Sequence, residues 1–189
     1  MNKVLYIFGA IFFIAGIFFV SHINTGHADM NNDKTLVAYF SATDNTKSVA
    51  EKLASAINAE LFEIIPEQIY TDADLNWNDE SSRTSVEMAD RNSRPKIASK
   101  IDNMTEYKII YLGFPIWWGR EPSIIDTFME SYDFTDKTII PFVTSGSSDI
   151  GNTYQNLKSL APNALVLRGM RFPVDVSPQE LKTWGDEQM

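Results

Sequence analysis

Five apolar runs of strand length, each followed by a segment with helical spacing, constrain the fold of this chain more than any other feature of its sequence. The runs are TLVAYF (35–40), ELFEIIP (60–66), YKIIYLGFPIW (107–117), TIIPFVTSG (138–146) and ALVLRGMRF (164–172). Their β-branched and aromatic weight, without polar alternation, predicts strands buried on both faces. Helical spacing is expected at Ser48–Ile57, Pro95–Ile101, Pro122–Tyr132, Thr153–Leu160 and Pro178–Trp184. Strict alternation of this kind implies an α/β fold, a three-layer sandwich built on a five-stranded parallel sheet with right-handed crossovers. Ligands in such sheets bind beyond the carboxyl ends of the strands, at the topological switch point. Residues 67–94 are expected to form a long polar connection, either a binding feature or an excursion from the domain.

Three loops fall at those carboxyl ends. The first, SATDNT (41–46), places Ser41, Thr43, Asn45 and Thr46 at the start of a helix carrying Val49, Ala50, Leu53 and Ile57. Free backbone N–H groups and the positive end of the helix dipole suit a phosphate dianion, and neutral hydroxyls and amides can hold it without a cation. The plainer alternative is helix capping, which prefers the same residue types. The second loop, Gly113 to Gly119, carries the adjacent indoles Trp117 and Trp118. Neighbouring residues in extended backbone point to opposite faces, so one indole can join the core while the other meets a flat ligand. The third, TSGSSDIGNT (144–153), offers Ser145, Ser147 and Ser148, with Gly146 and Gly151 allowing close backbone approach. Its plainer reading is a capped turn before the following helix.

The first 34 residues differ from the rest. Lys3 precedes an apolar stretch of seventeen residues, Val4 to Val20, and Gly26 and Ala28 stand where a signal peptidase expects small residues. Residues 1–28 are therefore expected to be a signal peptide, with an N-terminal membrane anchor through residues 4–20 as the competing reading. Residues 29–34 would be a linker and 35–189 the domain. Either alternative makes the domain exported and extracytoplasmic.

Composition narrows the chemistry. The formal charge is −9 with no Cys, and residues 1–28 hold Lys3 and both histidines, His22 and His27. The remainder thus carries −10 and neither His nor Cys, which excludes Ser-His-Asp and Cys-His catalytic sets and argues against a zinc site. Net negative charge without a basic cluster also argues against a nucleic-acid partner. Chemistry supplied by a bound organic cofactor fits the inventory best.

From Thr35 to about Trp184 the chain resembles the flavodoxin-like family, whose members bind flavin mononucleotide (FMN) at three such loops. SATDNT is similar to the family's phosphate loop, which implies that Ser41, Thr43, Asn45 and Thr46 hold the FMN phosphate with Ala42 and Asp44 in the same turn. GFPIWWG resembles the loop lining the isoalloxazine ring and implicates Pro115, Ile116, Trp117, Trp118 and Gly119. TSGSSDIG resembles the third flavin-contacting loop of the small flavodoxin-like reductases and implicates Ser145, Gly146, Ser147 and Asp149. YTDADLNW (70–77), Ser82-Arg83, Arg94-Pro95, LRGMRF (167–172) and Trp184 also resemble that subgroup. Asp44 stands where the family's loop has glycine, and its carboxylate is expected to cap the helix.

The resemblance implies electron transfer through FMN, with a redox partner protein or a small-molecule electron acceptor as partner. The alternative on the same scaffold is an NAD(P)H:quinone-type oxidoreductase. There Arg83, Arg91, Arg94 and Arg120 are the available cations for a donor's phosphates, and Tyr70 and Trp77 could form a lid. A cofactor-free binding module using the tryptophan cleft is the third reading.

Overall fold

The computed structural model describes residues 34–189. The expected signal or anchor segment (1–28) and all of the linker but Lys34 lie outside the described residues. The first strand, β1 (Lys34–Tyr39), leads through the SATDNT loop into α1 (Asn45–Ile57), which starts three residues before the expected Ser48. There follow β2 (Glu60–Glu63), α2 (Arg83–Ala89), β3 (Tyr107–Pro115), α3 (Ser123–Ser131), β4 (Thr138–Thr144) and α4 (Thr153–Leu160). Two short strands, β5 (Leu165–Val166) and β6 (Met170–Phe172), precede α5 (Pro178–Gln188).

All pairings within the sheet are parallel, and the strand order is β2-β1-β3-β4-β5, with β6 pairing farther along β4. Alternation along β1 divides the core between the two faces of the sheet. Leu36, Ala38 and Phe40 pack with Ile110, Leu112, Ile124 and Phe128, while Val37 and Tyr39 pack with Leu53, Tyr111, Phe142 and Trp184. The chain winds one way from β1 to β2 and the other way from β1 to β3, so the switch point lies between the carboxyl ends of β1 and β3.

Two expectations need correction. Residues 95–101 are not helical. Lys96 to Ala98 runs antiparallel to Ile65 to Glu67 (Glu67 N–H to Lys96 carbonyl, 2.8 Å; Ala98 N–H to Ile65 carbonyl, 2.8 Å). The helix of this region is α2, inside the stretch expected to be irregular; the Ser82 hydroxyl caps it by accepting from the Ser85 N–H. The last apolar run is also two strands, not one. Ile139 accepts from the Leu167 N–H, so alternate residues of β4 turn their backbone groups to this edge. Pro141 is next in that series and has no N–H to give. Gly169 crosses there so closely that a Cβ would stand 2.0 Å from the Pro141 carbonyl oxygen.

Candidate functional site

A cavity of about 370 Å³ opens at the switch point. Its floor is the first loop, through Ser41, Ala42, Thr43 and Thr46, and its wall is Pro115, Ile116, Trp117 and Trp118. Leu75, Trp77 and Thr84 close the far side from the long connection and α2. Leu75 lies in the YTDADLNW stretch but was given no role there, and Thr84 escaped the sequence reading, its only signal being a position two residues after a serine able to cap a helix.

The floor is rich in donors. Phe40 N–H donates to Gly113 (2.9 Å) and Ser48 N–H to Asp44 (3.0 Å), and between them no backbone N–H meets a carbonyl among the described residues. The N–H groups of residues 41–47 are thus left without a backbone acceptor at the positive end of α1. Thr43 Oγ1 accepts from the Asn45 amide at 3.2 Å, which fixes one side chain on the other. Thr46 is buried and shares a 2.7 Å hydrogen bond with the hydroxyl of Thr144 at the end of β4. Asp44 takes the left-handed backbone conformation, with φ 59°. Glycine is free to adopt that conformation and most residues avoid it, which explains the family's usual residue here. Contrary to expectation the Asp44 side chain makes no capping hydrogen bond; the residue is exposed.

The two indoles do part company, but through a turn and not through the extended backbone expected from the sequence. Trp117 packs edge-on against Phe40 and Tyr70, with ring centroids 5.6 and 5.5 Å away, whereas Trp118 is 53% exposed. Trp117 and Arg120 exchange backbone hydrogen bonds (2.9 and 3.0 Å) around Trp118 and Gly119, whose φ values are 46° and 78°. Positive φ at both central residues marks a type I′ turn, which glycine or asparagine enters readily and tryptophan does not. Tyr70 is held behind Trp117 by a 2.6 Å hydrogen bond to Glu87 and by the Arg83 guanidinium 4.0 Å above its ring. Burial, followed by that bond to a carboxylate, pushes the phenol well above its ordinary range.

The third loop stands beside this cavity and does not line it. Ser145 is half-buried and donates to the Ser148 carbonyl, Asp149 accepts from the Ile150 N–H at 2.8 Å, and Gly146 and Ser147 are exposed. It reaches the wall through Gly151, where a Cβ would stand 2.7 Å from the Gly119 carbonyl oxygen. Three of the four arginines offered as cations are already engaged. Arg83 pairs with Glu87 (2.7 Å), and Arg94 grips Glu130 through two nitrogens (2.8 and 2.7 Å). Arg120 is 3% exposed and bound to Asp126 and Ser123; Arg91 alone of the four has no side-chain partner among the described residues.

A family model described as flavodoxin matches residues 34–188. The chain belongs to the flavodoxin family. Flavodoxin is itself the standard illustration of the β2-β1-β3-β4-β5 order. The chain is similar to a candidate flavoprotein from Bacteroides eggerthii at 44% identity, covering 82% of this chain and 98% of that one, with a TM-score of 0.78. A second such protein, from Bacteroides uniformis, is 48% identical over 80% and 97% of the two chains, with a TM-score of 0.77. A flavoprotein from Lactobacillus acidophilus, solved in complex with FMN, is 25% identical over 74% of this chain and 93% of that one, with a TM-score of 0.60. No curated protein matches.

Proposed function

We propose that this flavodoxin-family protein binds FMN in the switch-point cavity and serves as an electron carrier outside the cytoplasm. The carrying observation is the pairing, in one cavity, of a loop whose backbone N–H groups have no partner among the described residues with a wall of indole. The phosphate would be held by the backbone of residues 42–47 and by the hydroxyls and amide of Ser41, Thr43 and Asn45. Thr46, its hydroxyl bonded to Thr144, would set the loop's height above the sheet. Trp118 has the exposure needed to cover an aromatic ring, and Trp117, wedged on Tyr70 and Phe40, backs it. FMN supplies the electron-accepting and electron-donating ring; the chain binds it, orients it and shields it from water. The related protein solved with FMN supports this cofactor.

Carriage is preferred to nicotinamide-dependent reduction because three of the four candidate arginines are committed. A donor's phosphates would have to compete with Glu87, Glu130 and Asp126 for Arg83, Arg94 and Arg120. A partner protein needs no such pocket. Export rests on Lys3, the apolar Val4–Val20 stretch and the small residues at Gly26 and Ala28.

The test is to purify residues 29–189, add FMN, and follow the visible spectrum through stepwise anaerobic reduction. Bound flavin that takes up electrons one at a time, with negligible steady oxidation of NADPH, is the expected result. Direct two-electron reduction by NADPH with turnover of a quinone would replace the carrier by the reductase. A protein that takes up no FMN would end both readings.

A further inference from the structure

The turn that presents Trp118 is strained, and something must hold it. Trp118 has φ 46°, which crowds the Cβ of a bulky residue against its own backbone, and its side chain is half in solvent. Its restraint comes from the other end of the turn. Arg120 closes the turn through both backbone hydrogen bonds, and its guanidinium is enclosed. Nη1 donates to Asp126 Oδ2 (3.2 Å) and to the Glu121 carbonyl (3.3 Å), and Nη2 donates to Ser123 Oγ (3.0 Å).

These bonds continue into the rest of the cavity. Ser123 Oγ donates in turn to the Glu87 carbonyl of α2 (3.1 Å), and the Glu87 carboxylate accepts from Tyr70, whose ring packs on Trp117. Arg120 therefore lies on a closed circuit that returns to the first residue of its own turn. A side branch runs from Glu121, 0% exposed, whose Oε1 accepts from Asn156 of α4 at 2.9 Å. Support of α3 does not explain the arrangement. A buried cation just before a helix N-terminus opposes the helix dipole, and an enclosed ion pair gains little over an apolar pair of the same volume. What a fork of fixed donors does supply is orientation.

We propose that Arg120 is the positioning residue of the aromatic wall, holding the Trp117–Arg120 turn in the left-handed form that offers the Trp118 indole to the FMN ring. The turn-holding part stands on this chain alone; the link to FMN rests on the function proposed above.

The test uses Arg120→Met, Arg120→Lys and Ser123→Ala, the last cutting the bond to α2 without altering charge. In the protein without FMN, each is expected to change the near-ultraviolet circular dichroism of the indoles, with Lys recovering part of the wild-type signal. FMN affinity, read by flavin fluorescence, should fall by about tenfold or more in the Met variant. The melting temperature lost on Arg120→Met should shrink when Trp118→Gly is also present, because a glycine turn needs no restraint. Unchanged indole dichroism in Ser123→Ala, together with strictly additive melting shifts, would overturn the proposal. If the Met variant does not fold, Ser123→Ala and Arg120→Lys decide it through the same dichroism and FMN affinity. Should the wild type bind no FMN, the dichroism and the Trp118 coupling still decide whether Arg120 holds the turn, and the loss falls on the proposed function alone.

Discussion

At residue scale the site turns on where small, polar side chains are spent. Asp44 combines a disfavoured backbone conformation with an acid beside the intended phosphate, and it makes no capping bond in compensation. Asp44→Gly should therefore tighten FMN binding on the order of threefold, by an amount that shrinks as salt screens the carboxylate; titration at two ionic strengths checks it. Stability should hardly change, since the relieved strain is offset by glycine's extra freedom in the unfolded chain. Thr46 is different because its hydroxyl is enclosed. Thr46→Val leaves the Thr144 hydroxyl unpaired in the core and should cost about 1–3 kcal/mol, seen as a lower melting temperature. The donor loop was legible in the sequence because it follows from local chemistry; the parting of Trp117 from Trp118 was expected from extended backbone but comes from a left-handed turn that no local residue preference announces. The commitment of Arg120 was not. Its partners Asp126 and Ser123 are near in sequence, but nothing local says that α2 closes over them.

Among the elements, strands were read more easily than helices. Four apolar runs became β1 to β4; in β1, β3 and β4 burial on both faces leaves a continuous signal, whereas β2 is a margin strand with none of its four residues fully buried. Helix α2 gives little signal, since of its seven residues only Thr84 and Met88 are buried and one of these is polar. Residues 95–101 looked helical by spacing, yet their backbone groups find partners on Ile65 and Glu67 instead. Helix α3 carries a titrating group that only the folded chain defines. Burial, and secondarily the neighbouring Glu121 charge, push the Asp126 carboxyl up to about 6, against the opposing pull of Arg120 and Arg94. The folded state then holds a proton that the unfolded state releases near pH 4, so ionising Asp126 costs stability. That cost is absent below the unfolded value, grows between about pH 4 and 6, and is complete above. Asp126→Asn should remove this slope. Chemical denaturation from pH 4 to 7 should show the variant gaining on the wild type as pH rises, by on the order of 1 kcal/mol.

For the whole molecule, charge sets how a dianionic cofactor arrives. The chain carries a formal −9, and its first 28 residues contribute only Lys3, so FMN approaches a repelling surface and must be captured by local donors. The association rate of FMN should rise with ionic strength, the reverse of a steered encounter, and stopped-flow quenching of flavin fluorescence measures it. The sheet's two margins have a consequence of another kind. An unpaired strand edge is a template on which a second copy can build. Here one margin is β2, four residues long with a glutamate at each end, and the other is split at Pro141 and Gly169 into pieces of two and three residues. Neither gives a neighbouring chain a run of hydrogen bonds to extend. The folded domain therefore offers no margin on which a fibril could extend, and with no cysteine there is no disulfide to join one copy to the next.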